Sequence, residues 1–195
     1  MVYLAALPEN LPPRESRRAE SLLGWGLLLY GLKRLEISPP AGLKAAAVRG
    51  SHGKPSLPGL GVEFSIAHSR GLAACAVEDV PVGLDLEQVR MFSPAVVGRI
   101  CTSGEEVLTA GNDSLLTQLW TCKESHMKLT GRGFSQGFAE TEFASLGAKP
   151  RLAGSGSACF RSRAVTLAGR SFWLTECCRE ERPLEIKWVL NPPEQ

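Results

Sequence analysis

Two acids in a short apolar run have residue types and a spacing that could do chemistry. The run VGLDLE at residues 82–87 is typical of a strand, in which Asp85 and Glu87 share one face and the leucines take the other. Two carboxylates on one face repel each other unless a cation lies between them, and Mg²⁺ with carboxylate and phosphate ligands suits that position. On the motif alone, an exposed strand with two solvated acids is the commoner explanation.

A second stretch, WTCKESHMKLTG at residues 120–131, places a carboxylate and a lysine one helical turn apart. No Pro or Gly interrupts it before Gly131, which is a usual helix stop, so it is predicted to end a helix. Residues four apart share a face, which aligns Trp120, Glu124 and Lys128. An exposed Glu–Lys pair worth roughly 0.2–0.5 kcal/mol is the routine explanation of this spacing. A site shared with the two strand acids is the competing one.

The predicted first helix carries positive charge where a helix least favours it. Arg14, Arg17 and Arg18 fall in its first turns, and cations there oppose the helix dipole. A solvated basic face would explain them without any ligand. An anionic ligand near the helix start would instead resolve the conflict.

Length and charge limit the classes of protein to which this chain can belong. Its 195 residues suit one domain or two small packed lobes, and 44% hydrophobic with 22% charged residues is an ordinary globular profile. The net charge is +2, with 10 Lys and Arg against 9 Asp and Glu through residue 90, and 12 against 11 beyond it. Both halves are nearly neutral, so no nucleic-acid partner is expected.

Cysteine usage and the first residues predict a cytoplasmic protein. The six cysteines include no C-x-x-C pair, which favours reduced thiols. Residues 1–18 lack a positive segment followed by an apolar one, so no signal peptide is expected. The apolar stretch 22–35 is short and contains Lys33 and Arg34, which predicts a buried helix and no membrane span.

Apolar periodicity and turn residues predict an α+β fold. The predicted helices are 14–35, 95–100, 104–108 and 113–130, the predicted strands are 2–7, 62–68, 72–77, 82–87, 160–167, 171–177 and 185–190, and 41–61 is a loop. Short turns between the second, third and fourth strands imply an antiparallel meander, and the first strand is expected at a sheet edge. Asp113 is the expected cap of the last helix and Trp120 its core anchor. A helix and three strands recur, which divides the chain into an N-terminal lobe, 1–90, and a C-terminal lobe, 91–195.

Five motifs follow one another along the chain. They are the Arg-rich helix start, GKP at 53–55, FSIAHS at 64–69, VGLDLE at 82–87 and WTCKESHMK at 120–128. In this order and spacing they closely resemble the 4'-phosphopantetheinyl transferase superfamily, particularly its larger, two-lobed class. The resemblance spans about residues 14–134, and the combination of D-x-E with W-x-x-K-E-x-x-x-K is its most specific part.

The resemblance implies a fold and a reaction. The fold is two structurally similar α+β lobes related by a pseudo-twofold axis, with coenzyme A in the cleft between them. The reaction is Mg²⁺-dependent: it moves 4'-phosphopantetheine from coenzyme A to a serine of an apo acyl or peptidyl carrier protein and releases adenosine 3',5'-bisphosphate. By analogy with smaller family members that self-associate, a second lobe in the same chain implies a monomer.

The resemblance also implies roles for individual residues. Asp85, Glu87 and Glu124 match the Mg²⁺ ligands, and Glu124 is also the expected base for the serine hydroxyl. Lys128 matches the catalytic lysine that holds a phosphate of the coenzyme. Contacts with the adenosine and its 3'-phosphate fall on Lys54, Pro55, His68 and Ser69, with one of Arg14 and Arg18 adding to the phosphate pocket.

The same residues are compatible with two other functions. A non-catalytic module that binds coenzyme A or a carrier protein would keep the scaffold, but it has no need of a metal site. A metal-dependent phosphohydrolase acting on nucleotides would use the acids without a protein acceptor. The transferase is the preferred hypothesis, because it also supplies the anion that the arginines of the first helix lack.

Overall fold

The computed structural model describes residues 1–8 and 13–193, without the side chains of residues 13, 14 and 134. The α-helices within these residues are α1 (Pro13–Arg34), α2 (Leu43–Ala46), α3 (Pro94–Ile100), α4 (Ser103–Thr109) and α5 (Asp113–Thr130), and two short 3-10 helices cover Gly133–Gln136 and Phe138–Glu140. The strands are β1 (Val2–Ala6), β2 (Val48–Arg49), β3 (Pro55–Ser56), β4 (Glu63–Ser69), β5 (Leu72–Glu78), β6 (Val82–Gln88), β7 (Phe143–Ser145), β8 (Arg151–Leu152), β9 (Cys159–Leu167), β10 (Arg170–Cys178) and β11 (Ile186–Trp188). The predicted α+β class is confirmed. Within the described ranges, no helix is long and apolar enough to cross a bilayer.

Four layers build the protein, in the order α1, a four-stranded sheet, a three-stranded sheet and α5. Successive strand residues point to opposite faces, so each sheet can pack on a helix and on the other sheet at once. Cys75 and Val77 of β5 belong to the apolar core beneath α1. Leu84 and Leu86 of β6 belong to the core between the sheets. Leu119 of α5 belongs to a third core, shared with β9 and β10.

The sheets divide the strands differently from the prediction. The four-stranded sheet has the order β11–β1–β5–β4, with β11 parallel to β1 and the other neighbours antiparallel. The three-stranded sheet is antiparallel and has the order β6–β10–β9. The predicted meander is therefore wrong at its third strand: β1 and β4 take both edges of β5, so β6 pairs with β10 instead. The predicted edge position of residues 2–7 is also wrong, since β1 lies between β5 and β11.

The ends of α5 show which local signals the chain uses. Asn112, and not Asp113, caps the helix, because its side chain accepts a hydrogen bond from the N–H of Leu115 at 3.0 Å. Asp113 instead accepts a hydrogen bond from the N–H of Phe92 at 3.3 Å. Gly131 ends the helix as predicted, in the left-handed conformation with a φ of 69°.

The contact between β6 and α5 is unusually close. Gly83 faces the helix, and a Cβ there would overlap the carbonyl oxygen of Ser125 and lie 2.5 Å from the backbone nitrogen of Leu129. Only glycine allows this approach, since it has no Cβ. Because residues 83, 85 and 87 share one face of the strand, the same approach brings Asp85 against α5.

A buried ion pair fixes another side of α5. Lys123 Nζ donates to Oε2 of Glu105 at 2.6 Å and to the carbonyl oxygens of Ile100 and Phe138 at 2.7 and 2.9 Å. Glu105 also accepts hydrogen bonds from two backbone N–H groups. Both charged side chains are fully buried, so this complete set of partners is needed to offset their desolvation. The lysine of W-x-x-K-E is thus structural.

We expect Gly83→Ala to lower the free energy of unfolding by about 3 kcal/mol, because the added methyl group forces β6 and α5 apart. Gly98→Ala is the matched control, because Gly98 lies in helix α3 with no atom within 4 Å of its Cβ position. Alanine favours the helix more than glycine does, so this variant should raise the free energy of unfolding by up to about 1 kcal/mol. Urea denaturation followed by tryptophan fluorescence measures both. Wild-type stability in Gly83→Ala would contradict the close contact.

Candidate functional site

Asp85, Glu124 and Lys128 meet where α5 packs on β6. Lys128 Nζ donates to Oδ1 of Asp85 at 2.7 Å and to the carbonyl oxygen of Leu84 at 3.0 Å. Asp85 is buried, whereas Lys128 keeps 30% of its side chain exposed and can therefore exchange partners. The row of residues 120, 124 and 128 predicted from helical spacing thus lies on the side of the strand acids.

Glu124 shows that negative charge is crowded here. Burial and the charges of Asp85 and Glu87 raise the pKa of its carboxyl to about 7, although Lys128 lowers it. The pKa of Glu87 is also raised, first by burial and then by the charge of Asp85. The negative charge of the three carboxylates exceeds what Lys128 neutralises, so the site has room for further positive charge.

The three acids have the chemistry of a Mg²⁺ site, but their side chains are not gathered around one point. Oδ2 of Asp85 is buried and has no hydrogen-bond partner among the described residues. Such an oxygen, beside two carboxyls of raised pKa, suits a hard cation. As the side chains stand, the described part of the chain contains no group of three or more His, Cys, Asp or Glu residues that could hold a metal ion. Lys128 occupies the other oxygen of Asp85 instead.

A cleft of about 800 Å³ opens beside the acids. Its walls come from α1, the β4–β5 turn, the end of β6 and the start of β10, and its lining residues include Arg17, Glu20, His68, Ser69, Arg70, Glu87, Gln88, Arg90 and Arg170. Four arginines against two glutamates suit the cleft to an anion. Glu87 belongs to the cleft as well as to the acids, so it joins the two parts of the site.

Serine side chains of β4 hold Glu87 and β6 in place. Ser69 Oγ donates to Oε2 of Glu87 at 2.8 Å and accepts from the N–H of Gln88 at 3.3 Å. Ser65 Oγ accepts from the N–H of Leu84 at 2.9 Å. β4 and β6 belong to different sheets, so these bonds join the sheets beside the cleft. Ser69, predicted to contact the coenzyme, therefore also orients Glu87.

Of the other predicted binding residues whose side chains the structure describes, one lines the cleft and three do not. His68 lines the cleft. Lys54 Nζ donates to a backbone carbonyl oxygen of β6 at 3.0 Å, and burial lowers its pKa. Pro55 lies in β3 and Arg18 is exposed on α1, and neither is among the residues that line the cleft. The side chain of Arg14 lies outside the described residues.

Three arginines of the cleft, Arg70, Arg90 and Arg170, belong to no motif predicted from the sequence. Arg90 follows β6, with Cζ 4.4 Å from the ring centroid of Phe92 and 5.6 Å from that of Trp120. Arg170 Nη1 donates to the carbonyl oxygen of Arg70 at 3.0 Å, which joins the turns of two hairpins. Their positions at strand ends were the available signal. Which strand ends meet depends on the pairing of β6 with β10, which the sequence did not reveal.

Trp120 is half-buried, so the prediction that it anchors α5 in the core is wrong. Its ring lies 5.0 Å from that of Phe138 and 6.2 Å from that of Phe92. This cluster carries the guanidinium of Arg90, so Trp120 links α5 to a residue of the cleft.

Comparison with known proteins bears directly on this region. Residues 81–173 match the family model described as the 4'-phosphopantetheinyl transferase superfamily. The predicted resemblance to that superfamily is confirmed. The matched residues include the three acids and Lys128, whereas Lys54 and His68 precede the match.

Curated phosphopantetheinyl transferases are similar to parts of this chain. The 4'-phosphopantetheinyl transferase psf-1 of Bacillus pumilus is 32% identical over 81 residues, which are 39% of this chain and 35% of the relative. Sfp of Bacillus subtilis is 32% identical over 90 residues, or 43% and 40%. HetI of Nostoc sp. is 35% identical over 98 residues, or 44% and 41%. This chain therefore spans less than half the length of these phosphopantetheinyl transferases.

We expect Glu124→Gln to change how stability depends on pH. The pKa of Glu124 is raised from 4.5 to about 7, so the folded protein binds this proton more tightly than the unfolded chain does. Its contribution to stability is therefore present below about pH 4.5 and is lost as the pH rises through about 7. Glutamine does not ionise, so the variant avoids this loss. As the pH rises from 5 to 8, the free energy of unfolding of Glu124→Gln should increase by about 2 kcal/mol relative to that of the wild type.

Urea denaturation in EDTA at pH 5 and at pH 8 measures this change in the free energy of unfolding. The matched control is Glu106→Gln, which removes an exposed carboxyl on α4 and should leave no such gap. Equal pH dependence of the wild type and Glu124→Gln would contradict the buried, crowded environment of Glu124.

Proposed function

We propose that this chain is a Mg²⁺-dependent 4'-phosphopantetheinyl transferase. It moves the phosphopantetheine arm of coenzyme A to a serine of an apo carrier protein and releases adenosine 3',5'-bisphosphate. The observation that carries the proposal is the meeting of Asp85 with Glu124 and Lys128, next to a cleft lined by four arginines. The family match of residues 81–173 supports it, since it covers all three residues.

The cleft suits coenzyme A because that ligand carries a pyrophosphate and a 3'-phosphate. We propose that the four arginines of the cleft, with His68, bind these phosphates by charge-assisted hydrogen bonds. Lys54, Pro55 and one of Arg14 and Arg18 remain proposed contacts of the adenosine and its 3'-phosphate on the strength of the resemblance alone. Ser69 is a proposed contact that also lines the cleft.

The acids and Lys128 divide the chemistry. Asp85, Glu87 and Glu124 would hold Mg²⁺, with Lys128 leaving Asp85 for a phosphate of the coenzyme. A bound Mg²⁺ polarises the phosphoryl oxygens and offsets charge on the leaving phosphate. Glu124 would take the proton of the serine hydroxyl while the serine oxygen forms a bond to the phosphorus next to the pantetheine arm. The bond from that phosphorus to the bridging oxygen breaks, and Lys128 stabilises the departing bisphosphate.

The two halves, 1–90 and 91–195, are proposed to be similar lobes related by a pseudo-twofold axis, with coenzyme A in the cleft. In support, α1 packs on the hairpin β4–β5 and α5 on the hairpin β9–β10. Each sheet also takes a strand from the other half, since β6 pairs with β10 and β11 with β1. We further propose a monomer that works in the cytoplasm, with a carrier protein as partner and neither nucleic acid nor membrane.

We expect Lys128→Met to lower kcat/KM for transfer at least about 100-fold, because it removes a charge at the leaving phosphate. Lys149→Met is the matched control, as Lys149 forms an exposed ion pair with Glu181 and should change the rate less than twofold. The assay follows the mass gain of a panel of apo acyl and peptidyl carrier proteins with coenzyme A and Mg²⁺. Asp85→Asn and Glu124→Gln should abolish the gain.

The other outcomes of these experiments distinguish the competing functions and test the metal assignment separately. No mass gain on any carrier would refute the transferase. Tight carrier binding that EDTA does not change, without transfer, would favour the binding module. Release of free phosphopantetheine without a carrier would favour a phosphohydrolase. Near wild-type turnover of Asp85→Asn or Glu124→Gln would refute the metal assignment alone.

A further inference from the structure

Glu20 of α1 is a buried acid in the wall of a cleft otherwise rich in arginine. Its Oε1 accepts hydrogen bonds from the N–H of Gly71 at 2.7 Å and from the hydroxyl of Ser16 at 2.9 Å. Its Oε2 lies 3.1 Å from Nδ1 of His68. A carboxylate in such a site weakens anion binding unless it acts through a neighbour, and His68 is a neighbour that also lines the cleft.

The contact with Glu20 decides which nitrogen of His68 carries a proton. A carboxylate can only accept hydrogen bonds, so Nδ1 must donate to Oε2 and must itself be protonated. Nε2 is then the ring nitrogen left for a ligand. His68 is 33% exposed, so a ligand in the cleft can reach it.

We propose that Glu20 is a positioning residue that keeps Nδ1 of His68 protonated and presents Nε2 to a phosphate of the bound coenzyme. The identity of the anion rests on the proposed function, and the role of Glu20 rests on its own contacts. When the phosphate binds at Nε2, that nitrogen takes a proton from the solvent, and the resulting imidazolium donates a hydrogen bond to the phosphate. Glu20 balances the positive charge at the opposite nitrogen, as a carboxylate behind a histidine does at metal sites.

The other charged groups of the cleft do not replace this pair. The other charged residues that line the cleft are Arg17 of α1, Arg70 of the β4–β5 turn, Glu87 and Arg90 at the end of β6 and Arg170 of β10. The arginines cannot accept a hydrogen bond from the ring, and Glu87 accepts from Ser69. Glu20 is the carboxylate in contact with His68.

Glu20→Gln separates this role from simple support of the β4–β5 turn. The amide oxygen of glutamine still accepts from Gly71 and Ser16, so the turn keeps its hydrogen bonds. The amide nitrogen then faces Nδ1 of His68 and donates to it, so the proton moves to Nε2. A donor at Nδ1 also opposes a second proton, so the ring stays neutral when the phosphate binds.

The first measurement is ¹⁵N NMR of the histidine rings, with and without coenzyme A. The chain has three histidines, so His68→Asn identifies the signals of His68. We expect a protonated Nδ1 in the free wild-type protein and protons on both nitrogens in the complex. In Glu20→Gln we expect a bare Nδ1 in both states. A bare Nδ1 in the free wild-type protein overturns the proposal.

The second measurement is the affinity for coenzyme A by calorimetry, which does not depend on transfer. We expect about tenfold weaker binding by Glu20→Gln, because a charge-assisted hydrogen bond becomes a neutral one. Glu15→Gln, the same change on an exposed residue of α1, should leave affinity and ring signals unchanged. Thermal unfolding checks that both variants fold.

The two proposals can fail separately. Wild-type affinity and wild-type ring signals in Glu20→Gln would mean that Glu20 only supports the turn. A wild-type protein that does not bind coenzyme A would count against the proposed function, and the signals of the free protein would still decide whether Glu20 sets the proton of His68.

Discussion

The close approach of α5 to β6 is the constraint on which the rest of the site depends. Gly83 lets the backbone of the helix lie against the strand, and the alternation of strand residues then turns Asp85 to the same helix. Glu124 and Lys128 lie on the helix at that level. A methyl group at residue 83 would push Asp85 away from Glu124 and Lys128, so one missing Cβ underlies the approach of the strand acids to the helix.

The two lysines of the helix motif differ because their surroundings differ. Lys123 is fully buried and saturated by Glu105 and two carbonyl oxygens, so it is committed to holding α5. Lys128 is partly exposed and bonded to Asp85, whose second oxygen has no described partner. An exposed lysine can change partners at little desolvation cost, whereas a buried one cannot. Burial therefore assigns structure to one lysine and leaves the other free for chemistry.

Positive charge in the cleft is assembled from distant parts of the chain. Arg17 comes from the first helix, Arg70 and Arg90 from strand ends near the middle, and Arg170 from the last hairpin. The serines of β4 join the two sheets beside this cleft and hold Glu87 at the boundary between arginines and acids. The arginines of the cleft and the acids of β6 and α5 thereby lie side by side, which is the arrangement that the proposed transfer of a phosphoryl-linked group requires.

The sequence by itself determined the long helices, the hairpin β9–β10 and the acids on one face of β6, because these depend on residues close together in the chain. Helical period, strand alternation and the stop at Gly131 are local properties, and so was the motif order that indicated the superfamily. Only the tertiary structure decided that β6 leaves the first sheet for β10, since that depends on β1 and β4 occupying both edges of β5. The same pairing, together with helix packing, sets the positions of the cleft arginines, the contact of Glu20 with His68 and the half-buried position of Trp120. These features depend on residues far apart in the chain, so local sequence patterns do not reveal them.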